Sequence, residues 1–172
     1  MQISDKSLKI SAGVLALALV GLIGDSIRER LVNVGDTAPN FAVTSSKGTQ
    51  MTRSSFGGKL LVLNFWATWC PPCIAELPSL NAMARTLGPK GVVVLGVSVD
   101  QDEKAYKEFL QRFKLSFEVA HDPNAEIASE YGTFKYPETY VITPDGKVVE
   151  KFIADRNWME PELLKRLESH IK

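Results

Sequence analysis

Asn64-Phe65-Trp66-Ala67-Thr68-Trp69-Cys70-Pro71-Pro72-Cys73 contains the only two cysteines in a chain of 172 residues. An apolar run, residues 60–65, leads into this stretch, and a helical pattern follows it. Two thiols at this spacing can close into one small disulfide ring and reopen it. No third cysteine competes as a partner, so the pair reads as a dithiol that exchanges two electrons, not as a structural staple. Its position supports reactivity. A helix N-terminus carries unpaired N–H groups and partial positive charge, which stabilise a thiolate and pull its pKa below the free value of about 8.5. Pro71 suits the first helical turn, where its missing N–H would have had no partner. Cys70 is therefore expected as the exposed attacking sulfur, and Cys73, one turn in, as the resolving sulfur. Pro72 stiffens the ring. The spacer alone does not set the redox poise, which spans roughly 150 mV among dithiols of this kind.

Two metal readings compete. Half of a zinc site would need two further ligands, and only His121 and His170, far apart in sequence, are available. Both histidines read as ordinary loop and surface residues. Paired thiolates also suit Cu(I), which would make the chain a copper-handling binding module, but no methionine or histidine lies close to the pair. Neither a metal nor a cofactor is expected.

Apolar content of 45% and charged content of 23% are ordinary for a globular chain of one domain. The formal net charge is zero, which argues against a nucleic-acid partner. The N-terminus differs from the rest. Residues 10–24 form a run of 15 without charge, preceded by Lys6 and Lys9 and followed by Asp25. A membrane span needs about 20 apolar residues, roughly 17 at least, so the run is short unless Leu8 and a snorkelling Lys9 extend it. Basic residues before the run favour a cytoplasmic N-terminus, with the rest of the chain outside. A cleaved signal peptide is the rival and a buried core helix the third reading; the first two export the domain. Outside the cytoplasm a single C-x-x-C pair points to redox work.

The remaining pattern is strand, helix, strand, helix, then a hairpin and a last helix. Residues 34–56 read as a β-ribbon turning at Ser45-Ser46-Lys47-Gly48. Residues 60–66 and 91–99 are continuous apolar runs, suited to buried strands. The helix after Cys70 is expected over 71–87, kinked by Pro78 and ended by Gly88-Pro89. Residues 102–113 have helical spacing, with Ala105, Tyr106, Phe109 and Phe113 on one face. A short strand follows at 117–120, and a helix opening at Asp122-Pro123 ends near Gly132. Residues 138–142 and 148–153 flank Asp145-Gly146, a hairpin signal, and 160–171 form a closing amphipathic helix. This order gives an α/β fold, a mixed sheet covered on both faces, with chemistry beyond the carboxyl ends of its parallel strands.

Three segments carry a family resemblance: Val34-Gly35-Asp36-Thr37-Ala38-Pro39-Asn40-Phe41, the stretch 64–73, and Tyr136-Pro137-Glu138-Thr139-Tyr140-Val141-Ile142. Together they resemble the thioredoxin superfamily, and more narrowly the TlpA/ResA-like membrane-anchored thiol-disulfide oxidoreductases with an AhpC/TSA-redoxin-like domain. The resemblance implies a thioredoxin fold, three-layer α/β/α around a mixed central sheet, with an N-terminal β-ribbon and a central insertion at about residues 100–119. It divides the chain into an N-terminal signal-anchor or signal peptide with connector, 1–32, and a thioredoxin-like domain, 33–172.

On sequence alone Pro137 would be trans, since only about 5–6% of X-Pro bonds are cis. The resemblance makes it the family's cis-proline. It lies beside the sulfurs without an N–H and leaves the Tyr136 backbone free to pair with a substrate strand. Trp69, Pro71, Pro72 and Tyr136 are the expected substrate contacts, and Trp66 is expected in the core. Glu76, three residues after Cys73, shares its helix face. It is expected to hold or pass a proton, as the resemblance also implies; the alternative is a solvated glutamate complementing the helix dipole. Many thioredoxins have an aspartate where this chain has Asn64, which cannot take up a proton, so proton handling falls to Glu76. Asn157-Trp158 reads as a staple for the last helix.

The expected function is an exported thiol-disulfide oxidoreductase anchored in a bacterial inner membrane. The resemblance favours a reductase of protein disulfides, with apocytochrome c as a client and a membrane thiol-electron donor; an oxidase or isomerase is the alternative. A peroxidase fits less well, because peroxiredoxins place threonine three residues before the reactive cysteine and Thr68 is two before Cys70.

Overall fold

An uninterrupted apolar run leaves neither face to water, and residues 60–66 and 92–98 accordingly become the two inner parallel strands of a sheet. The computed structural model describes residues 13–21 and 31–171. It divides into two units, Met1–Arg30 and Leu31–Lys172. In the first, residues 13–21 form a helix, α1, with exposed side chains. Among the described residues no helix is long and apolar enough to cross a membrane. The flanks of the apolar run, with Lys6 and Lys9, lie outside the described residues.

The second unit runs β1 (Ala42–Thr44), β2 (Gln50–Thr52), β3 (Leu60–Trp66), α2 (Pro71–Leu87), β4 (Val92–Ser98), α3 (Glu103–Arg112), β5 (Glu118–His121), α4 (Glu126–Glu130), β6 (Glu138–Ile142), β7 (Val148–Ile153) and α5 (Pro161–Ser169). The five-stranded sheet has the order β5-β4-β3-β6-β7. Strands β3, β4 and β5 are parallel, whereas β6 and β7 are antiparallel to their neighbours. β1 and β2 form the separate N-terminal ribbon, turning where Ser45-Ser46-Lys47-Gly48 was expected to turn it, and Ser45 bridges to Ala120 of β5. The central insertion is α3 with β5.

Alternation along β3 divides the two layers of helices. Asn64 meets Glu76 of α2, and Trp66 packs on Tyr106 and Phe109 of α3. Phe65, between them, points the other way onto Tyr131 at the end of α4, whose hydroxyl donates to the Pro39 carbonyl. Trp66 is fully buried, worth about 3 kcal/mol of transfer free energy for a side chain of this size. Its ring explains Gly96 on the neighbouring strand. A Cβ there would stand 3.1 Å from both the indole nitrogen of Trp66 and the ring of Phe117.

Most boundaries fall where the sequence puts them, α2 included, and the helix continues through Pro78. The start of α4 does not. Asp122 and Pro123 lie before the helix, and Ala125 takes a left-handed conformation. The buried Asp122 carboxylate accepts the N–H groups of Glu126, Ile127 and Ala128, so it caps the helix from four residues upstream.

Candidate active site

β3 ends at Trp66 and α2 begins at Pro71, so the loop between them must hold the first cysteine. Asp100, just past the end of β4, fixes that loop. Its carboxylate receives the Thr68 N–H at 3.1 and 3.0 Å, the Thr68 hydroxyl at 2.6 Å and the Ser98 hydroxyl at 2.5 Å. His121 reinforces the same corner. Its Nε2 lies 2.6 Å from the Asp100 carbonyl, and its ring stacks on Tyr106 with centroids 4.4 Å apart. It therefore ends β5 as a packed residue and is not the loop residue expected. His170 is partly buried, 3.4 Å from Glu150.

Cys70 occupies the N-cap of α2, and its sulfur accepts the Cys73 N–H at 3.3 Å. The two sulfurs are bonded to each other. The exposed sulfur expected at Cys70 is not found in this form: the residue is only 4% exposed, and Cys73 is fully buried. The reason is the loop before β6. The Tyr136–Pro137 peptide is cis, and the Tyr136 carbonyl oxygen lies 3.5 Å from the Cys70 sulfur. Trp69 is 62% exposed beside the pair, with its ring edge-on to Tyr136 at 6.0 Å. Beyond Pro137, buried Glu138 accepts from Lys151 at 2.9 Å and from the Tyr140 hydroxyl at 2.7 Å, which ties β6 to β7.

Glu76 is not a solvated first-turn glutamate. It is 3% exposed. Asn64 Nδ2 donates to its Oε1 at 2.9 Å, and Trp158 Nε1 donates to its Oε2 at 3.0 Å. Burial pushes its pKa from 4.5 up to about 7, against the hydrogen bonds from Trp158 and Asn64 and the nearby charge of Arg156, which favour the ionised form. Trp158 is thus more than a helix staple. It is fully buried, packs edge-on against Phe152 at 5.6 Å and touches a carboxylate 82 positions away in sequence. The sequence offered no local signal for that contact, nor for the Asp100 corner. Thr139 joins the same cluster; the β3–β6 register sets it opposite Asn64, whose Nδ2 donates to its hydroxyl at 2.8 Å.

A sulfur pair at a helix N-cap, a cis-proline loop against it and a buried carboxyl group along the helix define a thioredoxin-fold thiol-disulfide oxidoreductase. The chain belongs to the AhpC/TSA family, which matches residues 34–151. Thiol-disulfide oxidoreductase ResA of Bacillus thuringiensis subsp. konkukian is 34% identical over 149 residues, covering 83% of this chain and 86% of the relative. ResA of Oceanobacillus iheyensis is 36% identical over 143 residues, covering 80% and 74%. Among solved structures, a Chlorobium tepidum protein described as a thiol:disulfide interchange protein DsbE superposes with a TM-score of 0.71 at 31% identity, covering 81% of this chain and 96% of that one. StoA from Bacillus subtilis, at 21% identity and a TM-score of 0.65 over 78% of this chain and 98% of that one, shares the fold.

Proposed function

We propose that this oxidoreductase works as a reductase of protein disulfides outside the cytoplasm, held at a bacterial inner membrane by its N-terminal apolar run, or released from it as a soluble domain after cleavage. The run at 10–24 behind two lysines supports export. The Cys70 thiolate attacks a client disulfide. One client sulfur leaves as thiolate, and a mixed disulfide forms at Cys70. Cys73 then attacks the Cys70 sulfur as Glu76 accepts its proton. The second client sulfur leaves, so the client gains two electrons and Cys70–Cys73 closes. A membrane thiol-electron donor returns those electrons, and apocytochrome c is a client of the right chemistry.

Trp69, Pro71 and Pro72 frame the docking surface, and the Tyr136 backbone before Pro137 pairs with the client strand. The observation that carries this reading is buried Glu76, whose pKa near 7 lets it take up a proton at neutral pH. The test is trapping with Cys73→Ser. Cys70 is expected to hold clients as stable mixed disulfides identifiable by mass. If no adduct forms while the wild type still reduces insulin, Cys70 is not the attacking sulfur.

A further inference from the structure

β7 ends at Ile153, and Ala154, in a left-handed conformation, turns the chain off the sheet. Ser79 of α2 holds the segment that follows. Its Oγ accepts the Trp158 N–H at 3.1 Å and lies 2.9 Å from the Glu76 carbonyl and 3.3 Å from the Arg156 carbonyl, between which its single hydrogen is shared. That clamp brings two side chains to Glu76. The Trp158 indole N–H donates to Oε2 at 3.0 Å, and its ring is fixed edge-on against Phe152. The half-buried Arg156 stacks its guanidinium on the same Phe152, 3.9 Å from the ring centre and 5.8 Å from that of Trp158. Arg166, 5.5 Å from the Phe152 ring, is bonded to Glu150 at 2.8 Å. Arg156 has no such salt bridge among the described residues, and its Nε is buried without a hydrogen-bond partner. The carboxyl group its charge acts on most strongly is Glu76, ahead of Glu150 and Asp155.

Burial drives Glu76 toward the protonated acid, and the Trp158 hydrogen bond and the Arg156 charge oppose it. An acid that already holds its proton cannot take one from a thiol. We propose that Arg156 and Trp158 are positioning residues for the thiol chemistry, which keep buried Glu76 able to ionise and so ready to accept the Cys73 proton when the mixed disulfide is resolved. Both act through Glu76 and not on the sulfurs. Of the other groups facing Glu76, Asn64 from β3 and Thr139 beyond it on β6 carry no charge, and Cys73 lies one turn back on α2. Around Arg156 stand Asp155, Arg166 of α5 and Glu150 of β7, the last 3.4 Å from His170. The inference rests on Glu76 as the proton acceptor for Cys73, and it deepens that role.

The test separates the proton equilibrium from the reaction. The Glu76 carboxyl carbon is followed by ¹³C NMR across neutral pH in the oxidised full-length protein, its resonance assigned by its loss in Glu76→Gln. Arg156→Met keeps an apolar stem over Phe152 and removes the charge, and its midpoint is expected above the wild type's by about one unit. Arg156→Lys restores the charge and is expected to bring the midpoint back. Trp158→Phe keeps a ring, removes the N–H and is expected to raise the midpoint as well. Single-turnover reduction of insulin by the reduced protein is then followed over the same range. A one-unit rise from about 7 cuts the ionised fraction of Glu76 at pH 7 from about a half to about a tenth, so Arg156→Met is expected to be about fivefold slower there. Midpoints unmoved in folded Arg156→Met and Trp158→Phe would overturn the inference without touching the role of Glu76, and an Arg156→Lys as displaced as Arg156→Met would overturn the part given to the charge. A midpoint that moves while the insulin profile stays would overturn the inference and the role of Glu76 together.

Discussion

Glu76 shows how far one side chain's surroundings decide its chemistry. Three residues after Cys73 a glutamate is unremarkable, and the helix dipole alone would account for it. Burial raises its pKa from 4.5 to about 7. The same shift makes a stability claim. Its folded pKa is raised from 4.5 to about 7, so the folded state binds the extra proton between those values. Glu76 therefore favours folding fully below pH 4.5, and that contribution drains away as pH rises through 7. The loss amounts to about 3 kcal/mol. Urea unfolding of oxidised wild type and Glu76→Gln at pH 4.5 and 8 measures it: the wild type is expected to lose about 3 kcal/mol more across that range than the variant. Equal losses would show that the carboxyl group is not buried as described. Position 76 was legible from its spacing to Cys73. Its partners were not, because Trp158 is 82 residues distant and no periodicity reports a contact at that range.

At the scale of elements, hydrophobic patterning had the most to say. Strands β3 and β4 announce themselves as continuous apolar runs, and α2 begins and ends where Pro71 and Gly88 put it. The start of α4 was misplaced because Asp122 caps across intervening residues, and a distant carboxylate leaves no adjacent mark in the sequence. The loop at Thr68 is likewise held from another element. Asp100 receives one N–H and two hydroxyls there, and its removal strands all three donors. Asp100→Ala is expected to cost about 3 kcal/mol in urea unfolding. It should also raise amide exchange at Thr68 well above that of β3. Unchanged exchange at Thr68 would mean that the loop is fixed by something other than this carboxylate.

For the whole molecule, the site draws on β3, α2, the loop before β6 and the segment before α5, so it exists only once the sheet is assembled. Three segments, scattered over about a hundred residues, pointed to that assembly by family resemblance, and the cis peptide at Pro137 followed the resemblance where the general preference of X-Pro bonds gave trans. The Cys70–Cys73 ring spans a separation of three residues and constrains the unfolded chain by only about 2 kcal/mol, less than a bond closing a long loop. That small contribution suits a bond that opens in each cycle. The most direct measurement is a single turnover of the reduced full-length protein against insulin, quenched and alkylated for mass analysis. The account predicts that two thiols per protein molecule are lost for each insulin disulfide cleaved, with no cleavage by Cys70→Ser. Insulin cleaved while both thiols stay alkylatable, or cleaved equally by Cys70→Ser, would contradict it.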